Sequence, residues 1–316
     1  MSLRIAVLGA GAVGGYFGAR LSRAGHDVVF IARGAQLRAI RERGLAVWSS
    51  LGDLLVRAGA EEDSARIGPV DLVLFAVKSY DVDGAVASLH PLVGLETIVL
   101  TVQNGVESPR QVAATIGEGP VLGGAAYIAA SLAAPGLVEQ TGTVRRIVFG
   151  EVFGPVRRLS PRVQRLREVL AGADIQAEAE ADGWGALWRK YIFLAPIAAL
   201  TGAARLPIGP LRDVQTFAET FRAAASEVER VARAEGADPG PDPVGAALDY
   251  ILTMAPEVRS SLLIDLQQGR RIEVESLLGA IVRRGRAAGV PTPVSDALYT
   301  VLKPYENGPH PKAVSS

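Results

Sequence analysis

Three glycines near the start of this 316-residue chain have the spacing of a phosphate-binding turn. Gly9, Gly11 and Gly14 fit G-x-G-x-x-G, after a short apolar run and before a stretch with helical spacing. The first glycine permits a tight turn, the second lets the backbone approach a pyrophosphate, and the third lets helix and strand pack closely. The N–H groups at the helix start, including those of Ala12 and Val13, would face the phosphates. An ordinary strand–turn–helix connection without a ligand is the alternative.

Arg33 follows the second predicted strand, at the position that distinguishes the two common dinucleotides. An NAD site usually has Asp or Glu there for the ribose 2′-hydroxyl, but this chain has Ile31-Ala32-Arg33-Gly34. An acidic side chain would repel a 2′-phosphate, whereas an arginine pairs with it through charge-assisted hydrogen bonds. The sequence therefore favours NADP, with NADPH as its reduced form. A solvated loop charge is the alternative interpretation of Arg33.

Lys78 and Asn104 follow two further apolar runs, at 71–77 and 97–102. Sheets of this kind bind ligands outside the carboxyl ends of their strands. We therefore expect both side chains to border the nicotinamide end of the cofactor. Each could instead be a turn residue, and Asn-Gly is a common turn pair.

Lys190 lies among aromatic and aliphatic residues in the segment LWRKYIFL at 187–194. Such a lysine either extends along the apolar surface to reach water or is held in a cleft. The spacing alone favours the first interpretation.

A stripe of small and polar residues occurs near the end of the chain. Ser261, Asp265, Gly269 and Glu273 recur every four residues within a helix predicted over 259–288. A solvated helix face is the ordinary explanation. A glycine inside such a helix costs about 1 kcal/mol relative to alanine, which makes a close-packed or ligand-facing stripe more attractive.

Strand and helix signals alternate over the first third of the chain, which predicts βαβ units and a parallel sheet. Hairpins at a sheet edge are predicted over 121–150. Helices follow, one of which, over 184–201, should kink or break at Pro196. We expect an α/β fold with three parts: an N-terminal Rossmann NADP-binding domain over 1–175, an all-helical substrate and catalytic domain over 176–308, and a disordered tail over 309–316.

Composition excludes several classes of function. With no cysteine, the chain has no disulfide, thiolate nucleophile or cysteine-ligated metal. His26, His90 and His310 are far apart in the sequence, so no metal site is expected. Lys plus Arg and Asp plus Glu both number 33, which argues against a nucleic-acid partner. The uncharged run over 119–138 is long enough for a bilayer, but its glycines and prolines argue against a membrane partner. A cytoplasmic protein is expected.

Taken together, these segments resemble the ketopantoate reductase (2-dehydropantoate 2-reductase) family. The resemblance covers roughly residues 3–306, and its last segment is the most specific because of its length. The matching segments are GAGAVGGYFGARL at 9–21, AVKSYD at 76–81, QNGV at 103–106, WRK at 188–190, and SSLLIDLQQGRRIEVESLLGAIVRRGRAAGVPTP at 260–293.

The resemblance implies an NADPH-dependent reduction of a 2-oxo acid, with ketopantoate reduced to pantoate on the way to pantothenate. It implies a Rossmann domain, a helical domain, and an active site in the cleft between them. Lys190 matches the proton donor, which displaces the surface interpretation of that lysine. Glu273 matches a glutamate of substrate binding and catalysis, and is placed among the cofactor-binding residues as well. Ser261 matches the serine that holds the substrate carboxylate.

The remaining matches concern the cofactor. Asn104 and Lys78 match residues that line the nicotinamide and substrate end, and Arg33 matches the arginine of the 2′-phosphate. A small 2-oxo acid is the expected partner, with a homodimer left open.

Two positions depart from the family pattern. The family often has asparagine four and eight residues after the lysine, where this chain has Leu194 and Ala198. Losing polar partners should weaken binding of a polar hydroxy acid, by roughly 1–3 kcal/mol per unsatisfied group. Two alternatives therefore stay open: an NADP-dependent dehydrogenase of a more apolar hydroxy acid, and a non-catalytic NADP-binding relative.

Overall fold

The computed structural model describes residues 2–154 and 158–309, and the chain divides into two compact units. The predicted tail over 309–316 lies outside the described residues apart from Pro309. The predicted domain boundary after residue 175 concerns independent folding and stays a prediction. The first unit comprises Met1–Gln103 and Ser108–Ala186, and the second comprises Asn104–Glu107 and Leu187–Ser316.

The first unit contains one mixed sheet. Its strands are β1 (Arg4–Leu8), β2 (Asp27–Ile31), β3 (Leu45–Ser49), β4 (Leu54–Val56), β5 (Gly59–Glu61), β6 (Leu72–Phe75), β7 (Ile98–Thr101), β8 (Val121–Ala134), β9 (Leu137–Glu151) and β10 (Gln176–Glu180). Their order is β4-β3-β9-β8-β7-β6-β1-β2-β5, with β10 paired to β9. Among the described residues, every strand pairing is parallel except β8 with β9 and β3 with β4.

The central strand β1 is buried on both faces, as its continuous apolar sequence requires. Ile5 and Val7 pack into one hydrophobic cluster, whereas Ala6 and Leu8 pack into the other. Successive side chains of a strand point to opposite faces, so the two clusters lie on opposite faces of the sheet. The Rossmann prediction for this part of the chain is confirmed.

Helices cover this sheet, and the first is held close to it by glycine. A Cβ atom at Gly18 would lie 2.4 Å from the ring of Phe30 and 2.9 Å from Val7, so only glycine permits this approach of α1 to the strands. The helices are α1 (Ala12–Arg23), α2 (Gly34–Arg43), α3 (Val82–Ala85), α4 (Ser108–Ile116) and α5 (Pro161–Gly172).

The hairpins predicted at a sheet edge form one long hairpin inside the strand order, so that placement was wrong. β9 pairs with β8 on one side and with β3 and β10 on the other. Most of the uncharged run over 119–138 is strand β8, whose first residues are buried in the sheet. Within the described part of the chain, no helix combines the length and apolarity needed to cross a membrane.

The second unit is helical, as predicted. The sequence predicts a kink or a break at Pro196; the first helix runs through this residue without a break, and the kink stays a prediction. The lost backbone hydrogen bond is offset by burial, because Ile192, Ala195 and Ala199 are all buried. The helices are α6 (Gly183–Ala204, whose first four residues belong to the first unit), α7 (Ile208–Arg212), α8 (Phe217–Ala234), α9 (Pro243–Thr253), α10 (Ser261–Gln267), α11 (Ala280–Ala288) and α12 (Pro293–Leu302).

The continuous helix predicted over 259–288 is wrong. Helix α10 ends at Gln267, and Gly269 beyond its cap has a φ of +64°, in the left-handed region. The Arg270 N–H donates to the Asp265 carbonyl at 2.8 Å. This glycine is therefore a helix terminator, and the four-residue stripe does not lie on one helix. After a gap, a π-helical turn over Glu275–Gly279 leads directly into α11.

Candidate active site

The glycine-rich turn has the geometry that its spacing predicts. Gly9 has a φ of +104°, and a Cβ there would lie 2.6 Å from the Val77 nitrogen. A Cβ at Gly14 would lie 2.2 Å from the Gly9 carbonyl oxygen. A Cβ at Gly11 would meet no atom within 4 Å, so open space adjoins the turn at the second glycine.

This part of the first unit fits a nicotinamide dinucleotide. Gly11 is the N-cap of α1 and makes no side-chain cap hydrogen bond, so the first N–H groups of the helix, at Ala12 and Val13, have no side-chain cap. Such a helix start binds phosphate. At the end of β7, Gln103 donates from Nε2 to the Phe75 carbonyl at 2.8 Å. Its buried Oε1 has no partner within the described residues, which leaves an acceptor at this edge.

The carboxyl ends of β7, β6, β1 and β2 meet at one edge, because these neighbouring strands are parallel. Arg33 follows β2 as the N-cap of α2, and Lys78 follows β6 at the start of a 3₁₀ turn. Both side chains are exposed. Within residues 2–154 and 158–309, no hydrogen bond or ion pair engages the Arg33 guanidinium. The structure thus brings both residues to the sheet edge of the glycine turn.

Gln36 is a residue at this edge that the sequence analysis missed. It donates from Nε2 to the Ala10 carbonyl at 2.6 Å and accepts from the Gly136 N–H at 2.8 Å. It therefore ties the glycine turn to the β8–β9 hairpin. No sequence signal marks it, because a glutamine on a helix belongs to no motif.

A chain of polar contacts joins three predicted site residues in the second unit. The Lys190 ammonium donates to Asn104 Oδ1 at 2.9 Å, and Asn104 Nδ2 lies 3.5 Å from Glu273 Oε2. Lys190 is 8% exposed and Glu273 6%, so a cation and an acid are both buried. The surface interpretation of Lys190 is wrong.

Burial changes the acidity of this lysine. Loss of hydration lowers the pKa of Lys190 from its ordinary 10.5 to about 8, and the negative charge of Glu273 opposes that change. A lysine with such a pKa is protonated at neutral pH and gives up its proton readily, which suits a general acid.

Two local features present the partners of Lys190. Asn104 precedes Gly105, whose φ of +89° turns the chain back after β7, and a Cβ on Gly105 would lie 3.0 Å from the Ser276 carbonyl oxygen. Glu273 lies between α10 and the π-helical turn, where its carbonyl accepts from the Leu277 N–H at 3.0 Å.

The predicted substrate residues differ in exposure. Ser261 is exposed at the first position of α10, and no partner for its hydroxyl occurs in the described segments. The preceding Ser260 is the N-cap, accepting from the Leu263 N–H at 3.1 Å. Leu194 is half-buried and Ala198 is buried, one and two turns after the lysine on α6. They lie about 6 and 12 Å from it along the helix axis.

The sequence matches two profiles of one family. "Ketopantoate reductase PanE/ApbA" matches residues 5–154, and "Ketopantoate reductase PanE/ApbA C terminal" matches residues 182–306. The chain belongs to the ketopantoate reductase family. It is therefore an oxidoreductase that acts on a CH–OH group with a nicotinamide cofactor, as the sequence predicted.

Relatives of this family match the chain over nearly its whole length. The 2-dehydropantoate 2-reductase of Mesorhizobium japonicum is 32% identical over 95% of this chain and 97% of that protein. A crystal structure of a PanE/ApbA family ketopantoate reductase from Ralstonia eutropha is 34% identical, with a TM-score of 0.86 over 96% of this chain and 98% of that one. D-mandelate dehydrogenase with NADH and anilino(oxo)acetate shares the fold, at 20% identity and a TM-score of 0.86 over 96% of this chain and 98% of that one.

The burial of Lys190 is expected to lower the stability of the fold. The pKa of Lys190 is about 8 in the folded protein, against an ordinary 10.5. Between these two pH values the folded protein therefore binds fewer protons than the unfolded chain. The buried lysine thus lowers the free energy of unfolding by its full amount below pH 8, and the effect vanishes above pH 10.5. We expect Lys190→Met to raise the free energy of unfolding at neutral pH by roughly 1–3 kcal/mol. Urea unfolding at neutral pH and near pH 10 measures this gain, which should shrink as the pH rises.

Lys303→Met is the matched control. Although its own desolvation opposes the change, hydrogen bonds to Glu275 and Glu306 raise the pKa of Lys303. Removing this paired lysine should therefore lower stability. A loss of stability at neutral pH in Lys190→Met as well would show that burial does not strain the lysine.

Proposed function

We propose that this protein reduces a 2-oxo acid to a 2-hydroxy acid with NADPH, and that 2-dehydropantoate is its first candidate substrate, giving pantoate for pantothenate synthesis. The observation that carries the proposal is the buried Lys190 ammonium with Asn104 and Glu273 in line beside it. The family relatives named 2-dehydropantoate 2-reductase support the choice of substrate.

The proposed reaction needs an acid beside the carbonyl oxygen. NADPH, held by the glycine-rich turn and Arg33, would supply a hydride to the C2 carbonyl carbon, and negative charge would develop on the oxygen. The Lys190 ammonium donates a hydrogen bond to that oxygen and then transfers its proton, leaving a neutral amine. The products are the 2-hydroxy acid and NADP⁺, and solvent returns the proton to the lysine.

The neighbours of Lys190 keep it ready for this step. The side-chain amide oxygen of Asn104 accepts a hydrogen bond from the Lys190 ammonium at 2.9 Å and so fixes its position. The Glu273 charge raises the pKa of Lys190 against burial, so the lysine carries its proton at neutral pH. The Ser261 hydroxyl, exposed at the start of α10, would donate to the substrate carboxylate.

Lys190→Ala tests the proton donor. We expect kcat with the preferred 2-oxo acid to fall by at least about a hundredfold, the usual contribution of a positioned acid. Binding of NADPH, followed by its fluorescence, should change less than twofold. The assay is loss of NADPH absorbance during reduction. A decrease in kcat below about tenfold would refute the role of Lys190 as donor.

Arg33 supplies positive charge at the sheet edge for a 2′-phosphate, which supports NADPH over NADH. Arg33→Ala should raise the KM for NADPH by roughly ten- to hundredfold, because a charge-assisted hydrogen bond is lost. The KM for NADH should change little. Arg23→Ala removes an exposed arginine at the end of α1 that lies away from the glycine turn, and it should leave both constants unchanged. Equal effects on NADPH and NADH would contradict the 2′-phosphate role.

A second candidate is a more apolar 2-oxo acid, because Leu194 and Ala198 offer no polar group on α6 after the lysine. The shared fold of D-mandelate dehydrogenase, bound to NADH and anilino(oxo)acetate, is compatible with it. A panel of 2-oxo acids with hydroxylated, branched and aromatic side chains decides between the candidates by kcat/KM.

For an enzyme selective for apolar acids, Leu194→Asn should shift the ratio of kcat/KM toward 2-dehydropantoate by roughly tenfold, since one hydrogen bond is worth about 1 kcal/mol or more. Leu252→Asn, an exposed leucine on α9, is the control and should leave the ratio unchanged. A wild-type enzyme that prefers 2-dehydropantoate would eliminate this second candidate.

A further inference from the structure

The hydroxyl of Tyr191 bonds to a turn of another segment. Tyr191 is 1% exposed and directly follows Lys190 on α6. Its hydroxyl lies 2.7 Å from the Ser276 carbonyl oxygen and 2.8 Å from that of Leu277. Both carbonyls belong to the π-helical turn that begins two residues after Glu273.

The π-helical turn explains why a donor is needed there. The Ala280 N–H bonds to the Glu275 carbonyl, five residues back, instead of four. Where the backbone hydrogen bonds return to the α-helical spacing of four residues, one carbonyl accepts no hydrogen bond from an N–H of its own helix. A buried carbonyl without a donor is costly. The Tyr191 hydroxyl lies between two candidates for that carbonyl and supplies the missing hydrogen.

The segments that carry the three polar site residues all contact this turn. The Ser276 carbonyl that faces Tyr191 also lies against Gly105, the residue after Asn104. The Ser276 hydroxyl in turn donates to the Glu273 carbonyl at 3.2 Å. One backbone carbonyl therefore contacts the segments that carry Asn104 and Lys190, and the side chain of the same residue holds the backbone of Glu273.

We propose that Tyr191 is a positioning residue, whose hydroxyl locks the π-helical turn to α6 and so fixes the spacing of Lys190, Asn104 and Glu273. This inference rests on the proposed role of Lys190 as proton donor. Burial raises the pKa of the Tyr191 hydroxyl, with the charge of Glu107 adding to the effect, so it stays a donor over the working pH range.

Tyr191→Phe removes the hydroxyl and keeps the ring. We expect kcat to fall by roughly ten- to hundredfold, the effect of a small misplacement of reacting groups, with NADPH binding unchanged within twofold. Because a displaced Glu273 would raise the pKa of Lys190 less, the decline of kcat at high pH should begin at lower pH than in the wild type. A merely structural hydroxyl would lower the melting temperature without moving this limb.

The matched control is Tyr299→Phe. The Tyr299 hydroxyl donates to the Glu275 side chain on the same turn at 2.6 Å, and Lys303 and Arg283 also bond to that carboxylate. We expect kcat to stay within twofold of the wild type, and its decline at high pH to begin at the same pH as in the wild type. Equal losses in the two variants, or a Tyr191→Phe enzyme with wild-type kcat and pH limb, would overturn the proposal.

Ser276→Ala keeps the proposal testable if Tyr191→Phe does not fold. It removes only the hydroxyl that holds the Glu273 backbone. The decline of kcat at high pH should again begin at lower pH than in the wild type, but with a smaller change. An unchanged pH dependence would count against the proposal. Lys190→Ala separates the two hypotheses. Full activity of Lys190→Ala would refute the proposed role of Lys190 as proton donor, whereas an inactive Lys190→Ala beside a wild-type Tyr191→Phe would refute the positioning role alone.

Discussion

A charged amine held out of water is the constraint on which the helical unit depends. Moving an isolated ammonium into a protein interior costs several kcal/mol, and it is tolerated only with polar partners in good geometry. Lys190 has an amide oxygen at 2.9 Å and the charge of Glu273 beyond that amide. Without the charge of Glu273 the pKa of Lys190 would be lower, so less of the lysine would carry the proton that an acid needs.

A different constraint applies at the sheet edge of the first unit, where the backbone must leave room for a bulky anion to approach. Steric limits apply at Gly9 and Gly14, where a Cβ would collide with backbone atoms, whereas Gly11 adjoins open space. Positive charge is left to exposed side chains at neighbouring strand ends. The first unit therefore presents backbone groups at this edge, whereas the second surrounds its buried ammonium with side chains.

Much of this arrangement could be predicted from the sequence, because its causes are local. Buried parallel strands are continuous apolar runs, and the glycine turn follows from steric rules. Strands such as β10, with the sequence QAEAE, have no such signal, since only pairing with β9 makes them strands. Gly269, just beyond α10, is predicted as a helix interior because it falls in the four-residue series of Ser261, Asp265 and Glu273. Tyr191 was missed because a π-helical turn has no sequence signature.

The π-helical turn also determines the rotational position of the preceding residues around the helix axis. It contains one residue more than the same length of α-helix, and a single residue corresponds to about 100° of rotation around a helix axis. Its extra residue therefore decides which direction Glu273 faces relative to α11, independently of how well α11 itself is packed. A one-residue deletion in this turn would give a regular helix. Lys190, Asn104 and Glu273 would all still be present in the chain, but Glu273 would be rotated about a quarter turn away from Lys190.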